Sequence, residues 1–374
     1  MTEKRHKKGK KMEKENRILK YDIARVLAIL CVVLCHATET VYTFNATGWS
    51  LLSSQSRIFM MVAFTIGRLG VPIFLFLTGA LILRKDINTD QDVMNFYKKN
   101  LVSLFIANSI WVIIYNFYFL LTNNSQNVTL EIVLKELFFL KQVPLPNMWY
   151  IPMIIGLYIG LPFVAKIVKT FSKKTLLLFM STMFITSFIF PLINVICGIF
   201  NINNSFSSLL NLSFFGGSYG LYILLGYFMT SQNKIKINKL FLLLISIVSF
   251  GFTCFIQIIS YSNISHCNYN VWYDFPTILI CAASIFMIIT NTDYSKINDN
   301  ITKIISFISK ASLAIFFMHI MVQRYLEPGI KSLQVIMPLK VILLFVSNII
   351  ICIVINLILN RSKFIAKYVL LIKK

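Results

Sequence analysis

Acidic residues are scarce in this sequence. Its 374 residues contain 14 Asp and Glu against 36 Lys and Arg, which gives a formal net charge of +22. Such an excess is typical of nucleic-acid-binding proteins when the basic residues lie among exposed aromatic side chains. Here the basic residues lie instead in short tails and loops between apolar segments. We therefore expect no nucleic-acid partner and interpret the charge as a signal of membrane topology.

The sequence also lacks the motifs of a cleaved leader, of haem attachment and of metal binding. The first twenty residues are basic and polar, without the apolar stretch of a signal peptide, so we expect the first apolar segment to remain as the first helix. Cys31 and Cys35 in the string CVVLCH are separated by three residues, whereas haem attachment needs two. Most of the seven cysteines lie in apolar segments, where a free Cys behaves as a small hydrophobe. We predict no metal site.

Long apolar runs, by contrast, are abundant. The hydrophobic fraction is 57% and the mean hydropathy is +0.74, whereas soluble domains are roughly 45–50% apolar. Runs of about 20 apolar residues, enough to cross a bilayer as a helix, recur along the chain. The sequence predicts an all-α, polytopic membrane protein with about ten transmembrane helices. The predicted spans are approximately residues 22–43, 58–83, 100–122, 148–168, 175–199, 208–230, 240–260, 274–290, 304–326 and 339–359.

The loop charges predict the orientation of these helices. With the N-terminus in the cytoplasm, the cytoplasmic loops hold nearly all the loop Lys and Arg, and the outer loops hold only Arg57, Lys135, Lys141 and Lys331. By the positive-inside rule, both the N-terminus and the C-terminus are predicted to be cytoplasmic.

Three further segments flank the predicted spans. Residues 1–20 and 361–374 are expected to be basic cytoplasmic tails on either side of a membrane domain at 21–360. The first tail is expected to be solvated and disordered, with contact to anionic lipid as the alternative. Leu130 to Leu140 has a helical apolar pattern that predicts a short interfacial helix in the longest outer loop.

Arg25 and His36 are two ionisable residues within one apolar run. Eleven helical steps of about 100° return to within about 20° of the starting direction, over a rise of about 16 Å. Both side chains therefore face the same way. Because an ionisable group in a membrane helix costs on the order of 2.5 to 3.5 kcal/mol, it usually faces a protein interior, a partner or a water-filled cavity. This shared face is the strongest functional signal in the sequence.

Three ionisable residues from different helices are predicted to lie at one depth. Counted at about 1.5 Å per residue from the cytoplasmic ends of their helices, His36, Arg68 and His319 lie roughly 21, 24 and 22 Å from the cytoplasmic side. Polar groups at this depth need partners, so we expect one cavity that collects them. The alternatives are a snorkelling Arg25 and a His319 that serves helix packing. Slightly above this level lie Glu39, Trp149, Tyr273, Asp274 and Arg324, of which Glu39, Asp274 and Arg324 could mark helix ends and Trp149 an aromatic belt.

The chain resembles the acyltransferase 3 family of membrane acyltransferases over about residues 20 to 360. The family's first helix carries an Arg, ten residues and a His, matched by Arg25 and His36, and the other matches follow in the family's order. They are RLGVPIFLFLTGALIL (Arg68 to Leu83), NMWYIPMIIGLYIGLP (Asn147 to Pro162), LGYFM (Leu225 to Met229) and FFMHI (Phe316 to Ile320).

This resemblance implies an enzyme that moves an acyl group, most often acetyl, from cytoplasmic acyl-CoA to a hydroxyl of a cell-surface or lipid-linked saccharide. It implies a multi-pass protein of the cell membrane, in a bacterium by composition, with residues 21–360 as the acyltransferase domain. His36 is expected to be the base, Arg68 to orient the acceptor or stabilise the oxyanion, and His319 to be a second candidate for proton transfer. Arg25 is expected to hold the phosphates of CoA. Trp149 is a further candidate for the donor site.

A carrier or flippase for a glycan or lipid-linked sugar is the alternative, since it would use the same charged cavity. The motif matches favour the enzyme. The acceptor glycan, the identity of the acyl group, the formation of an acyl-enzyme and the oligomeric state do not follow from the sequence.

The topology prediction can be tested by labelling single cysteines in intact cells with a membrane-impermeant maleimide. A cysteine at position 135 should react from outside, whereas one in loop 84–99 should react only after the membrane is permeabilised. Labelling of both positions only after permeabilisation would contradict the predicted orientation.

Overall fold

The computed structural model describes residues 2–122, 128–202, 205–210, 212–231, 237–262 and 271–372, with side chains from residue 19 onward except that of Phe214. Within these ranges the chain is helical and contains no β-strand, which confirms the predicted all-α fold.

Sixteen α-helices occur in the described ranges. A π-helical turn, Tyr97–Val102, joins the fifth and sixth, and a second, Ile185–Ile189, joins the ninth and tenth. The helices are α1 (Thr2–Val41), α2 (Ala46–Ser50), α3 (Ser54–Arg68), α4 (Gly70–Ile82), α5 (Asp90–Phe96), α6 (Ser103–Leu121), α7 (Leu130–Leu137), α8 (Tyr150–Thr170), α9 (Lys173–Phe184), α10 (Phe190–Ile199), α11 (Gly217–Met229), α12 (Lys239–Ser262), α13 (Pro276–Asn291), α14 (Asp299–Ser332), α15 (Met337–Leu359) and α16 (Lys363–Tyr368).

Eight of the predicted spans are found as helical segments long and apolar enough to cross a membrane. The helices found at the other two predicted spans, 208–230 and 274–290, are shorter than predicted: α11 has 13 residues and α13 has 16. At 1.5 Å per residue these helices reach about 20 and 24 Å, less than the roughly 30 Å hydrocarbon core. The count of ten full spans is therefore not confirmed. Gly216 and Gly217, both at positive φ, delay the start of α11.

A helix break places Arg68 at the end of α3. Pro72 has no backbone N–H, so the carbonyl of Arg68 loses its usual donor four residues on, and the chain turns at Leu69 before α4 begins. The break lies against α1, since a Cβ at Gly67 would lie 2.6 Å from Cα of Cys35. The absence of a side chain at Gly67 therefore lets α3 approach α1 closely at the level of Arg68.

Helices α1 and α14 pack in parallel through the centre of the molecule. Arg25 of α1 donates to Ser309 of α14 at one end, and His36 lies beside His319 ten residues further along α14. The pairing shows that the face shared by Arg25 and His36 is turned toward α14.

The terminal and interfacial segments contain helical residues. Helix α1 begins at Thr2 and thus includes most of the predicted first tail, in keeping with the good helix propensity of its Lys and Glu residues. Helix α7 occupies most of the predicted interfacial helix. The C-terminal segment packs on the bundle, where the indole N–H of Trp111 donates to the carbonyl of Val369 at 3.1 Å.

Gly67→Ala tests the close approach of α3 and α1. The added methyl group must push the two helices apart, so we expect the protein purified in detergent to lose about 1–3 kcal/mol of stability, measured as a fall in the melting temperature. Gly156→Ala is the matched control, because a Cβ there meets no atom within 4 Å. Equal melting temperatures for the two variants would contradict the packing argument.

Candidate functional site

The guanidinium of Arg68 is buried, with 5% of the residue exposed, and it is held by one carboxylate and several aromatic rings. Its Nη2 donates to Glu39 at 3.1 Å and its Nη1 to the hydroxyl of Tyr273 at 3.2 Å. The guanidinium carbon lies 4.5 Å from the ring centre of Phe64 and 4.8 Å from that of Trp272. A buried charge needs such partners. The Nε of Arg68 has no hydrogen-bond partner among the described residues.

Glu39 joins Arg68 to His36. Its second carboxylate oxygen lies 2.6 Å from Nδ1 of His36. A carboxylate accepts hydrogen bonds, so Nδ1 carries the proton and Nε2 of His36 is left with a lone pair in the neutral imidazole. Glu39 thus fixes both the tautomer and the orientation of the ring.

His319 presents the same tautomer in a fully buried position. Its Nδ1 lies 2.7 Å from the carbonyl of Phe316 and 3.1 Å from that of Ile315, and a carbonyl can only accept. Its Nε2 has no hydrogen-bond partner among the described residues. The rings of His36 and His319 lie 5.4 Å apart between centroids. The site therefore contains two neighbouring imidazoles that each have an Nε2 without a proton.

Two buried amides hold the helices that carry these imidazoles. The side-chain N–H of Gln323 donates to the carbonyl of His36 at 2.7 Å and also to the hydroxyl of Thr40. The side-chain N–H of Asn348, from α15, donates to the carbonyl of His319 at 2.9 Å. A hydrogen bond that is shielded from water is costly to break, so these bonds fix α1, α14 and α15 relative to one another.

Trp149 lies one aromatic ring away from Arg68. Its ring stacks on Tyr273 at 5.5 Å and lies 5.3 Å from the ring of Trp272. Tyr273 in turn accepts a hydrogen bond from Arg68. The structure thus places Trp149 on the border of the cluster, and places Arg324 apart from it, where it donates to the carbonyl of Pro144 at 3.3 Å.

Arg25 is separate from the imidazoles and has its own partners. Its Nη1 donates to Asp22 at 3.1 Å and to the hydroxyl of Ser309 at 2.8 Å, and that hydroxyl donates to Asp22 at 2.6 Å. These contacts hold the guanidinium between helices α1 and α14 rather than at a lipid interface, which argues against simple snorkelling.

Two cavities meet at Arg25. The smaller one, the narrow cavity, has a volume of about 230 Å³ and is lined by Tyr150 and Phe316, and the ring of Phe316 lies 6.0 Å from that of His319. The larger one, the wide cavity, has a volume of about 780 Å³ and is lined by Lys99, Lys363 and Lys367. Both are also lined by Leu104, Tyr158 and Leu313. The cavities thus outline a path from a basic opening, past Arg25, to the neighbourhood of His319.

The structure brings together His36, Arg68 and His319, places Trp149 beside them and leaves Arg25 at the junction of the cavities. The sequence interpretation treated Glu39 as a helix end and did not include Asp22, Ser309, Gln323 or Asn348. Asp22 lies three positions before Arg25, and Glu39 lies three positions after His36, so each pair shares one helix face. This spacing is the sequence signal that could have identified Asp22 and Glu39 as partners.

Comparison with known families matches residues 18–357 to the acyltransferase 3 model, whose description is an acyltransferase domain. Comparison with curated proteins and with solved structures gives no match.

Glu39→Ala tests the central ion pair. Removal of the carboxylate leaves the charge of Arg68 buried without its anion, so we expect a loss of about 3 kcal/mol, at the low end for a broken buried pair because Glu39 is partly exposed. The measurement is the midpoint of thermal unfolding in detergent. Glu131→Ala, which removes an exposed pair with Lys135, is the control and should leave the midpoint unchanged. Equal effects of the two changes would contradict a central role for Glu39.

Proposed function

Because the chain belongs to the acyltransferase 3 family and is a multi-pass membrane acyltransferase, we propose that it transfers a short acyl group from acyl-CoA to a hydroxyl of a saccharide. Acetyl is the proposed acyl group, and a cell-surface or lipid-linked saccharide the proposed acceptor. The observation that carries this proposal is the contact of His36 with Glu39, beside a buried arginine and with the ring of His319 at 5.4 Å. We place the protein in the cell membrane of a bacterium.

His36 is the proposed general base. Its Nε2 takes the proton from the acceptor hydroxyl while the hydroxyl oxygen attacks the thioester carbon. The carbon–oxygen bond forms, the carbon–sulfur bond breaks, and the thiolate of CoA receives the proton back from the imidazolium. Glu39, hydrogen-bonded to Nδ1, stabilises the imidazolium during this exchange. His319 is the second candidate base, because its Nε2 is also unpartnered among the described residues.

Arg68 is the proposed electrostatic partner of the reaction. A tetrahedral oxyanion forms when the hydroxyl attacks, and fixed donors in a site shielded from water stabilise it strongly. Arg68 is fixed by Glu39 and Tyr273, and its Nε remains available for a further acceptor. The same guanidinium can orient the acceptor hydroxyl.

The cavity path suits an acyl-CoA donor. Arg25 is the proposed contact for its phosphates, since a guanidinium binds phosphate oxygens in pairs. The narrow cavity beyond Arg25 would hold the flexible arm, with the thioester near the imidazoles. Trp149 is the proposed aromatic wall at the acyl end of the donor, because it stacks on the tyrosine that binds Arg68. The proposed reaction uses no metal ion.

The proposal is tested with the full chain purified in detergent, by free thiol released from acetyl-CoA with and without candidate surface saccharides. We expect CoA release that depends on the acceptor and needs no membrane gradient. His36→Ala should lower the rate at least ~100-fold, as is usual for loss of a general base, and Arg68→Ala should lower it more than His319→Ala does. Mass spectrometry of the saccharide should show the mass of one acyl group.

Arg57→Ala is the matched control for Arg68→Ala. Arg57 lies on the same helix α3, but its guanidinium binds backbone carbonyls of Trp49 and Ser50 near the surface. Its loss should leave the rate within about twofold, as for surface changes outside a site. Vectorial movement of a glycan without any release of CoA would support the carrier and overturn the transferase proposal. Full activity of His36→Ala would remove His36 as the base.

A further inference from the structure

We propose that the C-terminal segment, residues 362–372, is a wall of the donor site and that Lys363, Lys367 and Lys99 bind the phosphates of the donor's nucleotide. The ligand class is an adenosine 3′-phosphate 5′-diphosphate carried on a pantetheine arm. This inference rests on the proposed acyl-CoA chemistry and adds to it the element that selects the nucleotide.

The C-terminal segment is built into the bundle. The hydroxyl of Ser362 accepts from the N–H of Ile365 and begins α16, whose lysines lie on its exposed side. After α16 the chain folds back, with Leu371 at a φ of 52° and with backbone hydrogen bonds from Leu370 and Ile372 to residues of the helix. The side chains of Ala366, Val369, Leu370 and Ile372 are buried.

This packing positions the segment against α6. The indole N–H of Trp111 donates to the carbonyl of Val369 at 3.1 Å, and the ring of Trp111 stacks on Phe317 at 5.4 Å. Phe317 lies in α14, two residues before His319. The segment is therefore linked through Trp111 to the helix that carries one of the site imidazoles, and its lysines line the wide cavity.

The charge of this cavity fits a polyanion. The wide cavity is lined by four cationic side chains, and no acidic side chain of the described residues lines it. Arg25 has Asp22 as an ion-pair partner at 3.1 Å, whereas no carboxylate of the described residues pairs with Lys99, Lys363 or Lys367. Asn100 adds a side-chain amide to the lining. Separate ammonium groups suit a ligand that carries several phosphates at different places.

The sizes and linings of the two cavities also fit such a ligand. The basic cavity has a volume of about 780 Å³, and the second cavity at Arg25, of about 230 Å³, is smaller and mostly apolar. A free phosphate or a small anion would use only the wide part. A molecule with a large anionic head and a slender arm uses both, with Arg25 at the place where the head meets the arm.

The experiment compares three donors with the full-length protein: acetyl-CoA, acetyl-dephospho-CoA, which lacks the 3′-phosphate, and S-acetylpantetheine, which lacks the nucleotide. For the double variant K363E/K367E we expect the KM for acetyl-CoA to rise about tenfold or more, the loss of about 1.4 kcal/mol. The rise should be smaller for acetyl-dephospho-CoA. The kcat/KM for S-acetylpantetheine should be unchanged.

The control variant K173E/K174E makes the same charge change in the first turn of α9, at exposed lysines outside the cavity lining, and should leave all three donors unaffected. K363Q/K367Q removes the charges without reversing them and should show the same order of donors with smaller effects. An unchanged KM for acetyl-CoA in K363E/K367E, or an equal loss for all three donors, would overturn the inference.

Binding of unacylated CoA, followed by calorimetry in detergent, separates this inference from the proposed function. If the wild type binds CoA and K363E/K367E binds it about tenfold or more weakly, the result supports both the donor proposal and the role of the C-terminal segment. Wild-type binding that the variant retains in full overturns the role of the C-terminal segment and leaves the donor proposal standing. No binding of CoA by the wild type, with thermal stability intact, overturns both.

Discussion

The buried charge of Arg68 is the constraint on which the rest of the site depends. A guanidinium at this depth needs an anion, and Glu39 supplies it from the neighbouring helix α1. The same carboxylate reaches His36 with its other oxygen, so the requirement of one arginine fixes the tautomer of one histidine. Tyr273 takes a second N–H of Arg68 and is itself covered by Trp149. One electrostatic requirement thus organises side chains from four separate parts of the chain.

Backbone features make this ion pair possible. Pro72 ends α3 at Arg68, and the missing side chain of Gly67 lets that end lie directly on Cys35 of α1. A larger residue at position 67 would move the guanidinium away from Glu39. Gln323 ties α14 to the backbone of His36 in α1, and Asn348 ties α15 to the backbone of His319 in α14. The site is therefore fixed both by the close packing of α3 on α1 and by amide hydrogen bonds to the backbone of the two histidines.

Much of the fold was predictable because the length of an apolar run can be read from the local sequence. The clustering of His36, Arg68 and His319 was predictable because the constant rise of a helix gives the depth of each residue. Contacts between side chains of different helices were not predictable. The partner of Glu39 comes from another helix, and the sequence near Asn348 does not show that its amide meets His319. Averaged hydropathy hid the Gly216–Gly217 pair, so the sixth span was predicted too long. The C-terminal residues were predicted to form a basic tail because of their lysines. The apolar residues around Val369, whose carbonyl accepts a hydrogen bond from Trp111, instead pack on the bundle.

The parallel contact of α1 and α14 has a consequence for motion. Arg25 meets Ser309 at one end and Gln323 meets the backbone of His36 near the other, so the two helices are in register at both ends. A slide of one helical turn, about 5.4 Å, would break all these bonds together. The paired helices therefore resist a change of register, because sliding one along the other would break the bonds at both ends at once.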